Sequence, residues 1–189
     1  MTAVRIRPAV LEAAGDIAAL ALLRRANASE LGPAPAEDDF GRRFAAWVRA
    51  QAAHRTFWLA ESRGQEGSAR TAGMRLPVGM VGLHRYERLP SPGEPTSTWG
   101  YVGNLFVLPD HRDGGTGGAL LEAVLDHARG QGMARVVLSP NGVRAGRLFR
   151  RAGFRDAREL LVHPLDTAED DPTPDLDELV HPLDQHPLD

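Results

Sequence analysis

Four glycines fall within five positions, at 114, 115, 117 and 118, just after Arg112 and just before an apolar run that opens at Ala119. Glycine permits positive φ and keeps side chains clear of a ligand that approaches the backbone. Residues 119–129 carry apolar side chains at helical spacing, so the glycines lead into a helix. The first N–H groups of a helix have no partner inside it and stand at the positive end of its dipole. A phosphate or pyrophosphate fits such a turn. Around it stand Arg112, Asp113 and Thr116, with Gly114, Gly115, Gly117 and Gly118 leaving the approach open. Thr116 adds a hydroxyl or merely packs. The plain alternative is a glycine-rich connection with no ligand. A lone Gly-x-Gly would favour that alternative. The full pattern of apolar strand, Pro109, Arg112-x-x-Gly115-x-Gly117 and helix favours the ligand.

Two common phosphate-binding patterns are excluded. A Walker loop needs Gly-Lys-Ser/Thr, and the chain contains no lysine. A dinucleotide fingerprint needs Gly-x-Gly-x-x-Gly/Ala, but its third slot here is Leu120 and the turn lies mid-chain. With no cysteine, thiolate metal sites, disulfides and a cysteine nucleophile are excluded too.

The elements that must position this turn follow from the pattern. A first strand is expected over 4–8 and a helix over 16–27, with Ile17, Leu20, Leu22 and Leu23 on its apolar face and Asp16 as N-cap. A second helix spans 37–53, with Phe40, Phe44, Trp47 and Val48 on one face. Strands follow over 56–61 and 75–86, with Gly79 and Gly82 marking a bulge or a close backbone approach. The central strand carries Val102, Leu105, Phe106, Val107 and Leu108 and ends at Pro109. After the glycine-opened helix come a buried strand over 134–138, a helix over 143–152 and a last strand over 158–163. Such an order predicts an α/β (α+β) chain: a mixed, mostly antiparallel central sheet with helices on both faces.

The strand–turn–helix pattern resembles motif A of the GCN5-related N-acetyltransferases, and Leu148-Phe-Arg-Arg-Ala-Gly-Phe154 resembles the second signature of that family. The element order is also the family's, an acyl-CoA N-acyltransferase-like fold. The resemblance covers about 4–163, its specific part 101–154. It implies that the main chain of Leu105, Phe106 and Val107 pairs with the pantetheine arm of acetyl-CoA, the cosubstrate. It further implies that the N–H groups of residues 113–118 hold the pyrophosphate. Arg112 would pair with a phosphate, or else form a salt bridge to Asp110 or Asp113. Asn141 lies one residue from a frequent cofactor-contacting asparagine. The slot that commonly holds an acid-donating tyrosine holds Phe149, which has no proton to give. Strand N–H groups would stabilise the oxyanion of the transfer.

On the acceptor side stand His84, Tyr86, Tyr101 and Asn104. Of these, Tyr101, Asn104 and His84 are the catalytic candidates, each a better structural or substrate-contacting residue than a dedicated acid. An alternating strand sends Tyr101 and Asn104 to opposite faces unless a bulge intervenes. The resemblance points to acetyl transfer from acetyl-CoA to a primary amine of a small molecule, by direct attack in a ternary complex. The alternatives are a protein (lysine or N-terminal) acetyltransferase and a catalytically weak acyl-CoA-binding regulatory module.

Composition bounds the rest. One acetyltransferase domain is expected over 1–164, followed by an acidic, proline-rich tail over 165–189. The tail holds nine acids and no arginine, so the net charge of −3 hides a basic body. Its composition does not support packing, and its His-Pro-Leu-Asp repeats, with one more at 163–166, make a poor metal site. No metal, no nucleic acid and no membrane are expected, in a cytoplasmic protein for which a homodimer stays open.

Overall fold

The computed structural model describes residues 4–32, 39–63, 73–140 and 142–157. The expected last strand over 158–163, the tail over 165–189 and Asn141 lie outside the described residues. By internal contact the chain divides into two compact units, Met1–Pro140 and Asn141–Asp189.

The first unit runs β1 (Val4–Pro8), α1 (Ala14–Leu31), α2 (Phe40–Gln51), β2 (Arg55–Arg63), β3 (Arg75–Glu87), β4 (Thr98–Val107), α3 (Thr116–Gly130) and β5 (Arg135–Val137). The strands form one sheet in the order β1-β2-β3-β4-β5. All neighbours are antiparallel except the parallel pair β4 and β5. This is the mixed, mostly antiparallel sheet that the pattern predicts.

Alternation along β2 sorts the two faces. Phe57 and Leu59 join Ile17, Leu20 and Leu23 of α1 and Val48 of α2 in a buried cluster with Met80 and Phe106. Trp58 points the other way and meets His127 of α3 edge-on at 5.2 Å. Each fully buried leucine on either face contributes roughly 1.5–3 kcal/mol. In α3, Leu120, Leu121, Val124 and Ala128 are buried, the stripe that its helical spacing predicts.

The elements depart from expectation in three places. Asp16 is not an N-cap: α1 starts at Ala14, after Ala13. Its carboxylate instead accepts from the Val10 N–H at 2.7 Å and from Arg7 at 2.6 Å, while Arg7 Nε donates to Glu61 at 2.9 Å. One guanidinium thereby ties β1 to α1 and β2, and it holds the Asp16 carboxyl below the usual carboxylate range. Leu22 is 56% exposed and leaves the apolar face. Strand β5 is only three residues long and half-exposed, because it pairs with β4 just from Trp99 to Tyr101. Gly79 and Gly82 do mark close approach, since a Cβ at Gly82 would come 2.9 Å from the Phe57 ring.

In the second unit, α4 (Gly142–Arg151) ends on Gly153 in left-handed conformation (φ 90°). The Phe154 N–H donates to the Phe149 carbonyl and the Gly153 N–H to Arg150. The Phe149 and Phe154 rings then meet 6.0 Å apart. These are the two bonds and the apolar contact of a Schellman helix end. The Phe-x-x-x-Gly-Phe signature is thus a stop signal for a helix.

Candidate functional site

After Val107 the chain turns through a 3-10 turn, Pro109–His111, and then through two left-handed residues, Asp113 (φ 61°) and Gly115 (φ 85°). Gly115 is the N-cap of α3 and supplies no side chain to cap it. The first turn of α3 holds no acid, and its last turn holds His127 and Arg129, which suit the negative pole. The N–H groups of Gly114, Gly115, Thr116, Gly117 and Gly118 donate to no group among the described residues. Gly114 and Gly115 are exposed, and a Cβ built on Gly115 or Gly118 meets nothing within 4 Å. Five backbone donors therefore gather at a positive helix end, with open space around Gly115 and Gly118. Thr116 is 5% exposed, so it packs.

Arg112 has other partners than those the sequence suggests. Its Nε donates to the Val107 carbonyl at 2.8 Å and its Nη2 to Glu30 of α1 at 2.6 Å. Its guanidinium also lies 5.7 Å from the centre of the Phe106 ring. It braces the turn against α1 and β4, and the proposed bridges to Asp110 or Asp113 are not formed.

Beside the turn, β4 and β5 part. They pair at Trp99, Gly100 and Tyr101, and beyond that no described strand lies along this edge of β4. The edge includes Leu105, Phe106 and Val107. An unpaired strand edge is a template for an extended ligand. The Phe106 side chain is meanwhile buried in the α1-side core.

The third part of the site is the bulge in β4. Register with β3 runs from Gly82↔Gly103 to Met80↔Phe106, so one extra residue sits in β4. Asn104 takes up the irregularity with φ 56°, a conformation asparagine tolerates better than most residues. Consequently Asn104 lines the same cavity as Phe57, Arg55 and Met80. Tyr101 pairs with His84, which pairs with Arg55, so Tyr101 belongs to that face too. The bulge thus brings Tyr101 and Asn104 to one side, as the alternation argument requires.

The cavity, about 360 Å³, is walled by Phe40, Phe44 and Trp47 of α2 and reached by Arg24 of α1 and Arg55 of β2. The three aromatics pack in sequence, with centroids 5.4 and 6.3 Å apart. Sequence reading gave them a shared face without distinguishing a core from a cavity wall. It missed Arg24, Arg55 and Glu30 altogether. Nothing local marks these residues, since each matters only through an element far along the chain.

His84 stacks on Tyr86 at 4.1 Å, and Tyr86 on Trp99 at 4.4 Å. Its Nδ1 is buried with no hydrogen-bond partner. Burial, then Arg55, then His54 hold the imidazole below its ordinary pKa, so it is neutral at pH 7. A proton reaching it would arrive at Nε2.

Among the described residues no group of three or more His, Asp or Glu could hold a metal, and no helix is long and apolar enough to cross a membrane.

The sequence matches the family model of the acetyltransferase (GNAT) family over residues 19–154. The fold is similar to that of a predicted acetyltransferase with acetyl-CoA from Clostridium acetobutylicum (17% identity, TM-score 0.63, 86% of this chain and 96% of that one). It is also similar to a ribosomal-protein-alanine N-acetyltransferase from Brucella melitensis (21%, TM-score 0.61, 86% and 100%). A third such structure is an aminoglycoside N-acetyltransferase in complex with CoA (16%, TM-score 0.63, 88% and 97%). No curated protein sequence matches the chain.

Proposed function

The chain belongs to the GNAT acetyltransferase family, and from that premise we propose that it transfers an acetyl group from acetyl-CoA to a primary amine of a small molecule, by direct attack in a ternary complex. The observation that carries this reading is the row of unpartnered N–H groups from Gly114 to Gly118, at the end of an unpaired strand edge and beside a bulge that opens on a cavity. The open space around Gly115 and Gly118 fits a pyrophosphate. The N–H groups of residues 113–118 would hold it, and the main chain of Leu105, Phe106 and Val107 would pair with the pantetheine arm. With Arg112 engaged by Glu30, phosphate charge is met by backbone amides and the helix dipole more than by a side chain.

Acetyl-CoA supplies the thioester: a new N–C bond forms at its acetyl carbon and the C–S bond breaks, and of the alkyl ammonium's three protons one stays on the amide nitrogen, one ends on the CoA sulfur and one in solvent. The protein must present the amine in neutral form, although a free alkyl ammonium has a pKa near 10.4. Arg24 and Arg55 lower that value, because positive neighbours disfavour a further positive charge. His84, neutral at pH 7, takes the proton through water at Nε2. Tyr101 and Asn104 position the acceptor. No phenol stands at position 149, so the leaving sulfur takes its proton from solvent.

The solved neighbours include enzymes whose names give an aminoglycoside and a ribosomal protein as acceptors, which does not choose between the classes. A cavity of about 360 Å³ is at the small end of ligand pockets and supports a small molecule. The test is thiol release from acetyl-CoA across a panel of small amines, peptides and folded proteins. Release with small amines is expected. Release only with a folded protein would move the acceptor class. Binding of acetyl-CoA with no release for any acceptor would leave a binding module.

A further inference from the structure

The cavity between α1, α2 and the bulge of β4 has an unusual charge. Among the described residues its charged groups are Arg24 and Arg55, and no described carboxylate lines it. Other arginines near the sheet have an acid partner: Arg7 has Asp16 and Glu61, and Arg112 has Glu30. Arg24 and Arg55 form no salt bridge among the described residues. Arg55 goes further, because its Nε is buried and donates to nothing. A buried donor left unmade is costly, and the usual explanation is a missing acceptor.

The surroundings shape that acceptor. The Arg55 guanidinium lies 5.0 Å from the centre of the Trp47 ring, which steadies the plane of its fork. A planar fork matches a carboxylate, two N–H groups to two oxygens. Asn104 adds an amide at the bulge, where the unpaired edge of β4 begins. The remaining walls are Phe40, Phe44, Trp47, Phe57 and Met80, which favour an apolar or aromatic body.

We infer that the acceptor is an amine that also carries a carboxylate and an aromatic or apolar side chain, an amino-acid-like molecule, with Arg24 and Arg55 as its anion-binding pair. This inference rests on the acetyl-transfer reading and names the acceptor class of that same site. The carboxylate compensates one of the two guanidinium charges, and the field of the other keeps the nearby amine neutral. A polycation such as an aminoglycoside meets like charge at both arginines and is rejected.

The test compares ligands that differ only in that charge. N-acetyltryptophan and N-acetyltryptophanamide are titrated calorimetrically into the full chain with CoA present. The acid is expected to bind about tenfold tighter or more, and Arg24→Gln and Arg55→Gln each bring the ratio toward one while the amide's affinity holds. Arg24→Gln is the safer variant, since Arg55 also packs on Trp47. Equal affinity for acid and amide, or no binding of either at millimolar ligand, overturns the inference. In turnover, phenylalanine is expected to outrun phenethylamine in kcat/KM, and the reverse order also overturns it. A separate titration with acetyl-CoA keeps the parent reading apart. If acetyl-CoA fails to bind while the acid preference stands, the transfer reading falls and the anion cavity survives.

Discussion

Replacing Gly118 by alanine should move stability and cofactor affinity in opposite directions. Gly118 is the third residue of α3, and a Cβ there meets nothing within 4 Å. Alanine in a helix loses less backbone entropy on folding than glycine, so the chain gains about 0.5–1 kcal/mol. For a chain of this size that corresponds to a rise in Tm of roughly 1–4 °C. The new methyl group tilts toward the helix N-terminus, over the unpartnered amides. If a pyrophosphate sits there, one charge-assisted hydrogen bond is lengthened or lost, worth about 1.5–3 kcal/mol, or roughly a 10- to 100-fold weaker Kd. Calorimetric titration with acetyl-CoA and a thermal melt of the same sample read both effects. Gly118→Val should weaken binding further while giving up the stability gain, since branched residues suit helices less. An unchanged Kd in both variants would refute the cradle. A lower Tm for the alanine variant would refute the reading of open space around Gly118.

Three further outcomes are expected. The imidazole of His84 is held below its ordinary pKa, so the folded chain binds fewer protons than the unfolded one. Its contribution is therefore intact above about pH 6.5 and is lost as pH falls below that. Activity should show an acid limb below pH 6.5, and His84→Gln should lower kcat about 100-fold and flatten that limb. An unaltered pH profile would remove His84 from proton transfer. Arg112→Ala should cost about 1 kcal/mol of stability, discounted for partial exposure, with Glu30→Ala costing a similar amount. A large loss of acetyl-CoA affinity in the arginine variant alone, at unchanged Tm, would show that Arg112 serves the phosphate and not the brace. Asp16→Asn should cost about 2 kcal/mol at pH 7 by removing the charged acceptor for Arg7 and Val10. The Asp16 carboxyl has a depressed pKa, so its contribution is present above about pH 3.9 and is lost as pH falls through the folded-state value. The gap between the two melting curves should close as pH falls through that folded-state value.

What could be read from the sequence was what short-range physics dictates. The helical stripe of α3, the glycine turn before it, the proline that ends β4 and the order of the described elements all follow from residue type and spacing. What could not be read depends on partners far along the chain. Arg112 finds Glu30 across 82 residues, so its acid could not be chosen from the nearest candidates, Asp110 and Asp113. Asp16 looks like an N-cap by type, but Arg7 and the Val10 N–H claim its carboxylate before the helix can. In α2 the period places Phe40, Phe44 and Trp47 together, but a period does not say whether an apolar face meets a core or a cavity. Trp47 stays 42% exposed while Val48 beside it is buried.

The bulge at Asn104 is what makes one strand serve three neighbours. Before it, Val102 is buried on the α3 side, and strict alternation would carry Asn104 and Phe106 to that side as well. A shift of one residue sends every later side chain to the opposite face. With the extra residue, Phe106 lands opposite Met80 and enters the core beneath α1. Asn104 turns toward the aromatic cavity. No described strand pairs with the outer edge of residues 105–107, because β5 has already diverged. The core, the aromatic cavity and the free edge of β4 therefore depend on one left-handed residue. Asparagine is a type that can hold that conformation and still offer a polar side chain to the cavity. Glycine would fit the backbone more easily but would leave the cavity without its amide. Asn104 therefore shapes the strand first, and its place on the cavity wall is a consequence of the bulge.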